Sequence, residues 1–133
     1  RTLPHFMDEN ALSNIVINKA IKVHKALGPG LLESSYKECL YNELKSSGLF
    51  VEKEKALPLV YEEVHLECGY RVDILVERRI VIEIKACDGL TDIHLAQVLT
   101  YLKLSDSRLG LLINFNVSLL KHGLRRVVNS LPH

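Results

Sequence analysis

Asp73, Glu83 and Lys85 are the residues whose types and spacing best suit chemistry. They lie in two Val/Ile-rich runs, Tyr70–Val76 and Ile80–Ala86, separated by Glu77-Arg78-Arg79. We read the runs as a hairpin with Val76 opposite Ile80. Ile74 then meets Ile82 and Val72 meets Ile84, which makes one face uniformly apolar. The same register sets Leu75 against Val81, Asp73 against Glu83 and Arg71 against Lys85. A slip by one residue would mix the faces, so this register is preferred. Directly opposed strand residues have Cβ atoms ~4.5–5.5 Å apart, and like charges there oppose folding. A cation between the two carboxylates removes that conflict. Hard oxygen ligands of this kind suit Mg²⁺, or Mn²⁺. Lys85, on the same face, can hold a water or offset charge at a phosphate. The plainer reading is a solvated charged face neutralised by Lys85 and Arg71, because a short D…ExK pattern is only moderately specific.

Other polar residues fall where they could join this set. Glu33 and Tyr36 are three apart and share a helix face. Glu33 is a candidate further acidic ligand, although a first-turn glutamate is also favoured simply by the helix dipole. Gln97 and Tyr101 are four apart on a later helix, with His94 on the same side and Leu95, Val98, Leu99 and Leu102 on the buried side. Gln97 and Tyr101 together could position a phosphate or base, whereas a lone Tyr101 reads as a half-buried core residue. His24 reads as an ordinary helix-end histidine. Gly28-Pro29-Gly30 is too short for a P-loop and lacks its GK[ST] signature. Ser34 and Ser35 have no nucleophile-elbow context. Lys121, Arg125 and Arg126 form a late basic cluster that reads first as a solvated run.

The elements that must position these residues follow from periodicity. Asp8–Leu27 and Leu31–Ser47 carry apolar residues at helical spacing, divided by the Gly28-Pro29-Gly30 stop. From Phe50 the period drops to two, and strands are predicted near Phe50–Lys55, Leu57–Tyr61, Glu63–Glu67, Tyr70–Val76 and Ile80–Ala86. A helix from the N-cap Thr91 to about Leu104 follows, then a buried strand over Arg108–Phe115. Gly123–Asn129 reads as a short strand or an irregular segment. This order predicts an α/β fold with a mixed central β-sheet flanked by helices.

Bulk properties narrow the partners. The 133 residues suit one domain, taken as residues 7–133. Met7 is the only methionine and is expected to be the natural start, with residues 1–6 an added leader. The net charge of +1 argues against extensive wrapping by nucleic acid but allows a local basic patch. No apolar run approaches the ~20 residues of a membrane helix, so no membrane partner is expected. Cys39, Cys68 and Cys87, odd in number and without CxxC spacing, suit reduced thiols in a cytoplasmic protein better than a disulfide scaffold or a zinc ribbon.

Several ordered motifs also resemble a known family. Leu27-Gly28-Pro29-Gly30-Leu31-Leu32-Glu33-Ser34-Ser35-Tyr36 is similar to the signature of the GxxExxY proteins, with Gly30, Glu33 and Tyr36 at the named positions. Tyr70–Val76, Ile82–Ala86, Ala96–Leu102 and Leu109–Phe115 continue the resemblance, which covers nearly all the chain after about Ile17. That family is placed in the PD-(D/E)xK nuclease superfamily, with a restriction-endonuclease-like core. The resemblance implies that Asp73 and Glu83 are metal ligands, Lys85 is the catalytic lysine, and Glu33 is the superfamily's helix glutamate. Gln97 and Tyr101 map to a QxxxY motif that, with Tyr36, would orient nucleic acid, and the Ile84 carbonyl would add a backbone ligand. Val72 stands where the superfamily name has proline, which the metal chemistry does not need. The expectation is a Mg²⁺- or Mn²⁺-dependent nuclease acting on DNA, with RNA the second candidate substrate, and a homodimer is suggested by its small size. The alternative is a catalytically silent module of this fold that binds nucleic acid or a protein partner.

Overall fold

The structure, a computed structural model, describes residues 7–129; the expectation for residues 1–6 lies outside that range. Two helices open the chain, α1 (Glu9–Leu27) and α2 (Glu33–Ser46). Asp8 caps α1, its carboxylate accepting from the Ala11 amide at 2.7 Å. Gly28 ends α1 at φ 68, a backbone state that a residue with a Cβ resists. Three strands follow, β1 (Val51–Tyr61), β2 (Val64–Val76) and β3 (Ile80–Lys85), then α3 (Asp92–Ser105), β4 (Leu109–Asn114), a 3-10 turn over Leu120–Gly123 and β5 (Leu124–Val128).

The five strands form one sheet in the order β1-β2-β3-β4-β5. β3 and β4 are parallel, and the other neighbours are antiparallel. The sheet is therefore mixed, as the element order predicted, and α3 makes the crossover that a parallel pair requires. α1 and α2 cover one face, where Leu12, Val16, Leu40 and Leu44 pack on Ile74, Ile82, Ile84 and Ile113. α3 covers the other face, where Val98 and Leu102 pack on Leu75, Val81 and Leu112. β3 and β4 lie between both helical layers, which is why they read as nearly unbroken apolar runs.

Two sequence expectations need correction. The four predicted strands between Phe50 and Val76 are two long ones. Pro58 and Gly69 shift the register, so that Leu57 pairs with Tyr70 but Leu59 with Leu66, and neither ends a strand. The outer part of this hairpin extends past the helices as an exposed ribbon closed by Glu62-Glu63, both at positive φ.

The second correction concerns the hairpin that carries Asp73 and Glu83. Its register is as expected at Val76–Ile80, Leu75–Val81 and Ile74–Ile82, and the ladder ends there. Val72 does not continue the apolar face of Ile74. It packs with Leu57 and Leu75 on the α3 side, whereas Ile74 and Val76 pack on the α1/α2 side. Strand alternation is thus broken at Asp73. Opposite it in β1, Glu54 adopts φ 53 and is skipped by a ladder that pairs Lys53 with Ile74 and Lys55 with Val72. A kink runs through both strands at this level.

Candidate active site

The kink creates the site. Past Ile74 and Ile82 the backbones of β2 and β3 separate, and two carboxylates take the place of the missing carbonyl acceptors. The Asp73 amide donates to Glu83 Oε2 at 2.8 Å, and the Ile84 amide donates to Asp73 Oδ2 at 2.8 Å. Each acid thus braces the other's strand. One oxygen of each carboxylate is held on a backbone amide, leaving the other for a further partner. The expected face-to-face ladder pair is replaced by this reciprocal arrangement.

Bracing does not cancel the electrostatic conflict. Glu83 is buried at 3% exposure, and its carboxyl is pushed up to about 8, first by burial and then by the Asp73 charge. Burial also raises Asp73, while the Ile84 amide and the lysines at positions 37 and 85 pull it back. Two desolvated carboxylates that resist ionising together suit a cation partner, which would stabilise their charged forms.

The remaining candidates approach from both helical layers. On the α3 side, Lys85 Nζ reaches Gln97 Oε1 at 3.5 Å, and Gln97 Nε2 donates to the Tyr101 hydroxyl at 3.3 Å. Tyr101 is 5% exposed, more buried than its position suggested. Burial and then the charges of Glu83 and Asp73 raise its phenol. His94 does not join this group, because its ring closes the cap of α3 by accepting from the Thr91 amide at 3.0 Å. On the α2 side, Glu33 lies in the first helical turn and lines a cleft of about 340 Å³ with Leu32, Ser34, Lys37 and Asp73.

Tyr36 is fully buried, stacked on Phe115 with ring centroids 4.5 Å apart. Its hydroxyl donates to the Gly28 carbonyl at 2.6 Å and accepts from the Leu31 amide at 3.1 Å. It therefore acts on the site only through the loop that delivers Glu33. Of the late basic cluster, Arg126 is tied to α1 through Ser13 and Asn10. Arg125 donates to the backbone carbonyls of His122 and Leu124.

Among the described residues, no three His, Cys, Asp or Glu side chains gather closely enough to hold a metal by themselves. Mg²⁺ does not need three, since it is commonly held by one or two carboxylates with water and substrate phosphate. The Asp73–Glu83 pair meets that requirement. The Ile84 residue has its amide on Asp73 and pairs with Ile113 of β4.

The model of the PD-(D/E)XK nuclease superfamily matches residues 10–127. The chain belongs to that superfamily. The match spans every strand and helix that positions the acids and Lys85, and the mixed sheet with three helices is the superfamily's restriction-endonuclease-like fold. No curated protein and no solved structure matches the chain. Superfamily membership makes a nuclease-type enzyme the coarse functional reading.

Sequence reasoning missed three contributors. Asn114 is buried, and its side chain accepts from the Cys87 amide at 3.1 Å and donates to the Cys87 carbonyl at 2.9 Å. It thereby fixes the chain just after Lys85. Its place at the end of a buried apolar strand was the available signal, since a polar side chain there needs partners. Lys37 and Glu54 also meet at the cleft, and no local spacing connects them.

Proposed function

We propose that this nuclease-superfamily protein hydrolyses phosphodiester bonds, with DNA favoured over RNA, using Mg²⁺ or Mn²⁺ held by Asp73 and Glu83 and assisted by Glu33. The carrying observation is the reciprocal bracing of the buried Glu83 carboxylate and the half-buried Asp73 carboxylate beside Lys85. Bound there, the cation would supply Lewis-acid polarisation of a phosphate and a more acidic water. Asp73 and Glu83 hold fixed positions because backbone amides occupy one oxygen of each. Lys85, steadied by Gln97, places a positive charge where the phosphate gains negative charge. Tyr101 holds Gln97 in turn and walls the α3 side. The Ile84 carbonyl is an additional candidate ligand, and Tyr36 keeps the α2 entry loop in place. Reduced cysteines and the cytoplasm remain the setting favoured by the cysteine pattern, and no helix among the described residues is long and apolar enough to cross a membrane.

A cleavage screen tests the proposal, with single-stranded, double-stranded and branched DNA and matching RNA incubated in Mg²⁺ or Mn²⁺. The expected result is metal-dependent cleavage that Asp73→Ala or Lys85→Ala reduces by at least 100-fold, on the order of the ~3 kcal/mol lost with one electrostatic stabiliser. Undiminished cleavage in either variant would remove the role given to that residue. The alternative, a silent module that binds without cutting, draws support from the near-neutral charge and from the two-acid set. It predicts that Mg²⁺ leaves the melting temperature unchanged.

A further inference from the structure

We propose that Lys37 is a second phosphate-binding cation of this site, paired with Glu54 at rest and exchanged onto the backbone of a nucleic-acid strand entering the α2–β2 cleft. The inference rests on the nuclease reading and names the residue that seats the substrate on the side away from Lys85.

The cleft brings Asp73 together with Leu32, Glu33, Ser34 and Lys37. Lys37 follows Glu33 by one helical turn and so shares its face. It is the one cation among these lining residues, while Lys85 is engaged with Gln97 on the α3 side. Among the residues lining the cleft, a phosphate reaching Asp73 from the α2 side would meet Asp73 and Glu33 and find its positive charge on Lys37.

Its resting partner is weakly held. Lys37 Nζ lies 3.2 Å from Glu54 Oε1, with the glutamate side chain 56% exposed and the lysine 18%. Pairs with an exposed partner contribute little and exchange readily. Lysine presents a compact charge on a flexible stem, so a phosphate oxygen can replace a carboxylate oxygen without rearranging the helix.

The kink explains how Glu54 reaches this lysine. Successive strand residues point to opposite faces. Lys53 already points to α2, where it pairs with Glu38 at 2.7 Å and lies 4.7 Å over the Tyr41 ring. Glu54 should therefore point away. Its φ of 53 breaks the alternation and brings its carboxylate to α2 as well. That backbone state is unfavourable for a residue with a Cβ, and such outliers concentrate at functional sites. Here it aims a displaceable acid at the lysine of the candidate active-site cleft.

Steady-state cleavage of a labelled DNA oligonucleotide in saturating Mg²⁺ tests the idea, with binding measured in parallel across a salt series. Lys37→Gln should raise KM about 10-fold while kcat stays within about twofold, and Lys37→Arg should restore KM. The log–log salt slope of binding should fall by about one in Lys37→Gln, as expected for a lost phosphate contact. Glu54→Gln, which frees the lysine, should lower KM. Unchanged KM and salt slope in Lys37→Gln would overturn the inference, with wild-type cleavage leaving the nuclease reading in place. A loss confined to kcat would also overturn it. Wild-type protein that cleaves no probe would remove the nuclease reading, and the inference with it.

Discussion

Two residues with similar polar character in the sequence have opposite roles in space. Tyr101 and Tyr36 each looked able to orient a substrate. Tyr101 touches Gln97 and feels the charges of Asp73 and Glu83, whereas Tyr36 spends both hydrogen-bonding capacities of its hydroxyl on the Gly28–Leu31 turn. Replacing that hydroxyl by hydrogen keeps the stack on Phe115 and removes the partner of a part-buried amide and carbonyl. Tyr36→Phe is therefore expected to destabilise the protein by about 1–2 kcal/mol, lowering Tm by roughly 3–10 °C. Circular dichroism melting checks this, and an unchanged Tm would mean the turn does not depend on the hydroxyl. Asn114 is the same kind of residue: polar and buried, it works through the backbone of Cys87 rather than through any ligand.

At the level of elements, the loop after Lys85 is fixed by Asn114, and Asn114 is in turn pressed by the 3-10 turn. A Cβ added at Gly123 would lie 2.1 Å from the Asn114 carbonyl oxygen. That oxygen is backbone in a fully buried strand and cannot yield. A Cβ at Gly110 would instead meet Val98 Cγ1 at 2.7 Å and Leu102 Cδ2 at 3.3 Å, side-chain atoms of α3 that a small shift of the helix can move back. Gly110→Ala should therefore cost about 1–2 kcal/mol and Gly123→Ala about 3 kcal/mol or more, as read by urea denaturation. Equal costs would contradict the rigid seat assigned to Gly123. The same scale explains what was legible beforehand. The helices, the Thr91 cap and the first three pairs of the hairpin followed from period, capping residues and alternation, and these are local rules. The kink did not follow, because Glu54 carries no glycine or asparagine to announce a left-handed backbone. The breaks expected at Ala56 and at Cys68-Gly69 are instead parts of one long ribbon, whose register shifts between Leu57 and Leu59. The neighbourhood of Asp73 and Glu83 was thus readable, while its bracing by the Asp73 and Ile84 amides was not. The Lys37–Glu54 pair, bridging a helix and a kinked strand, needed both elements in place.

Over the whole molecule, the site makes folding, protons and cation binding a single equilibrium. Glu83 is pushed up to about 8 and Asp73 is also raised, so the folded protein keeps protons that the unfolded chain releases near its ordinary carboxylate range. The associated stability is fully present below about pH 4.5, the unfolded value, and is lost as pH rises toward 8. The slope is at most about 1.4 kcal/mol per pH unit for each group. Metal-free protein is therefore expected to melt at progressively lower temperature from pH 5.5 to 8, and Glu83→Gln to flatten that slope. On the proposed function Mg²⁺ would bind the ionised pair, so its stabilisation should grow over the same interval. At 100 times its Kd it would contribute about 2.7 kcal/mol at pH 8, roughly 8–14 °C in Tm, and far less at pH 5.5. Melting curves of wild type and Glu83→Gln, with Mg²⁺ and with EDTA, separate the two effects. A metal-free Tm that rises with pH equally in both proteins would mean that the braced carboxylates ionise freely, which would leave the cation no electrostatic conflict to relieve.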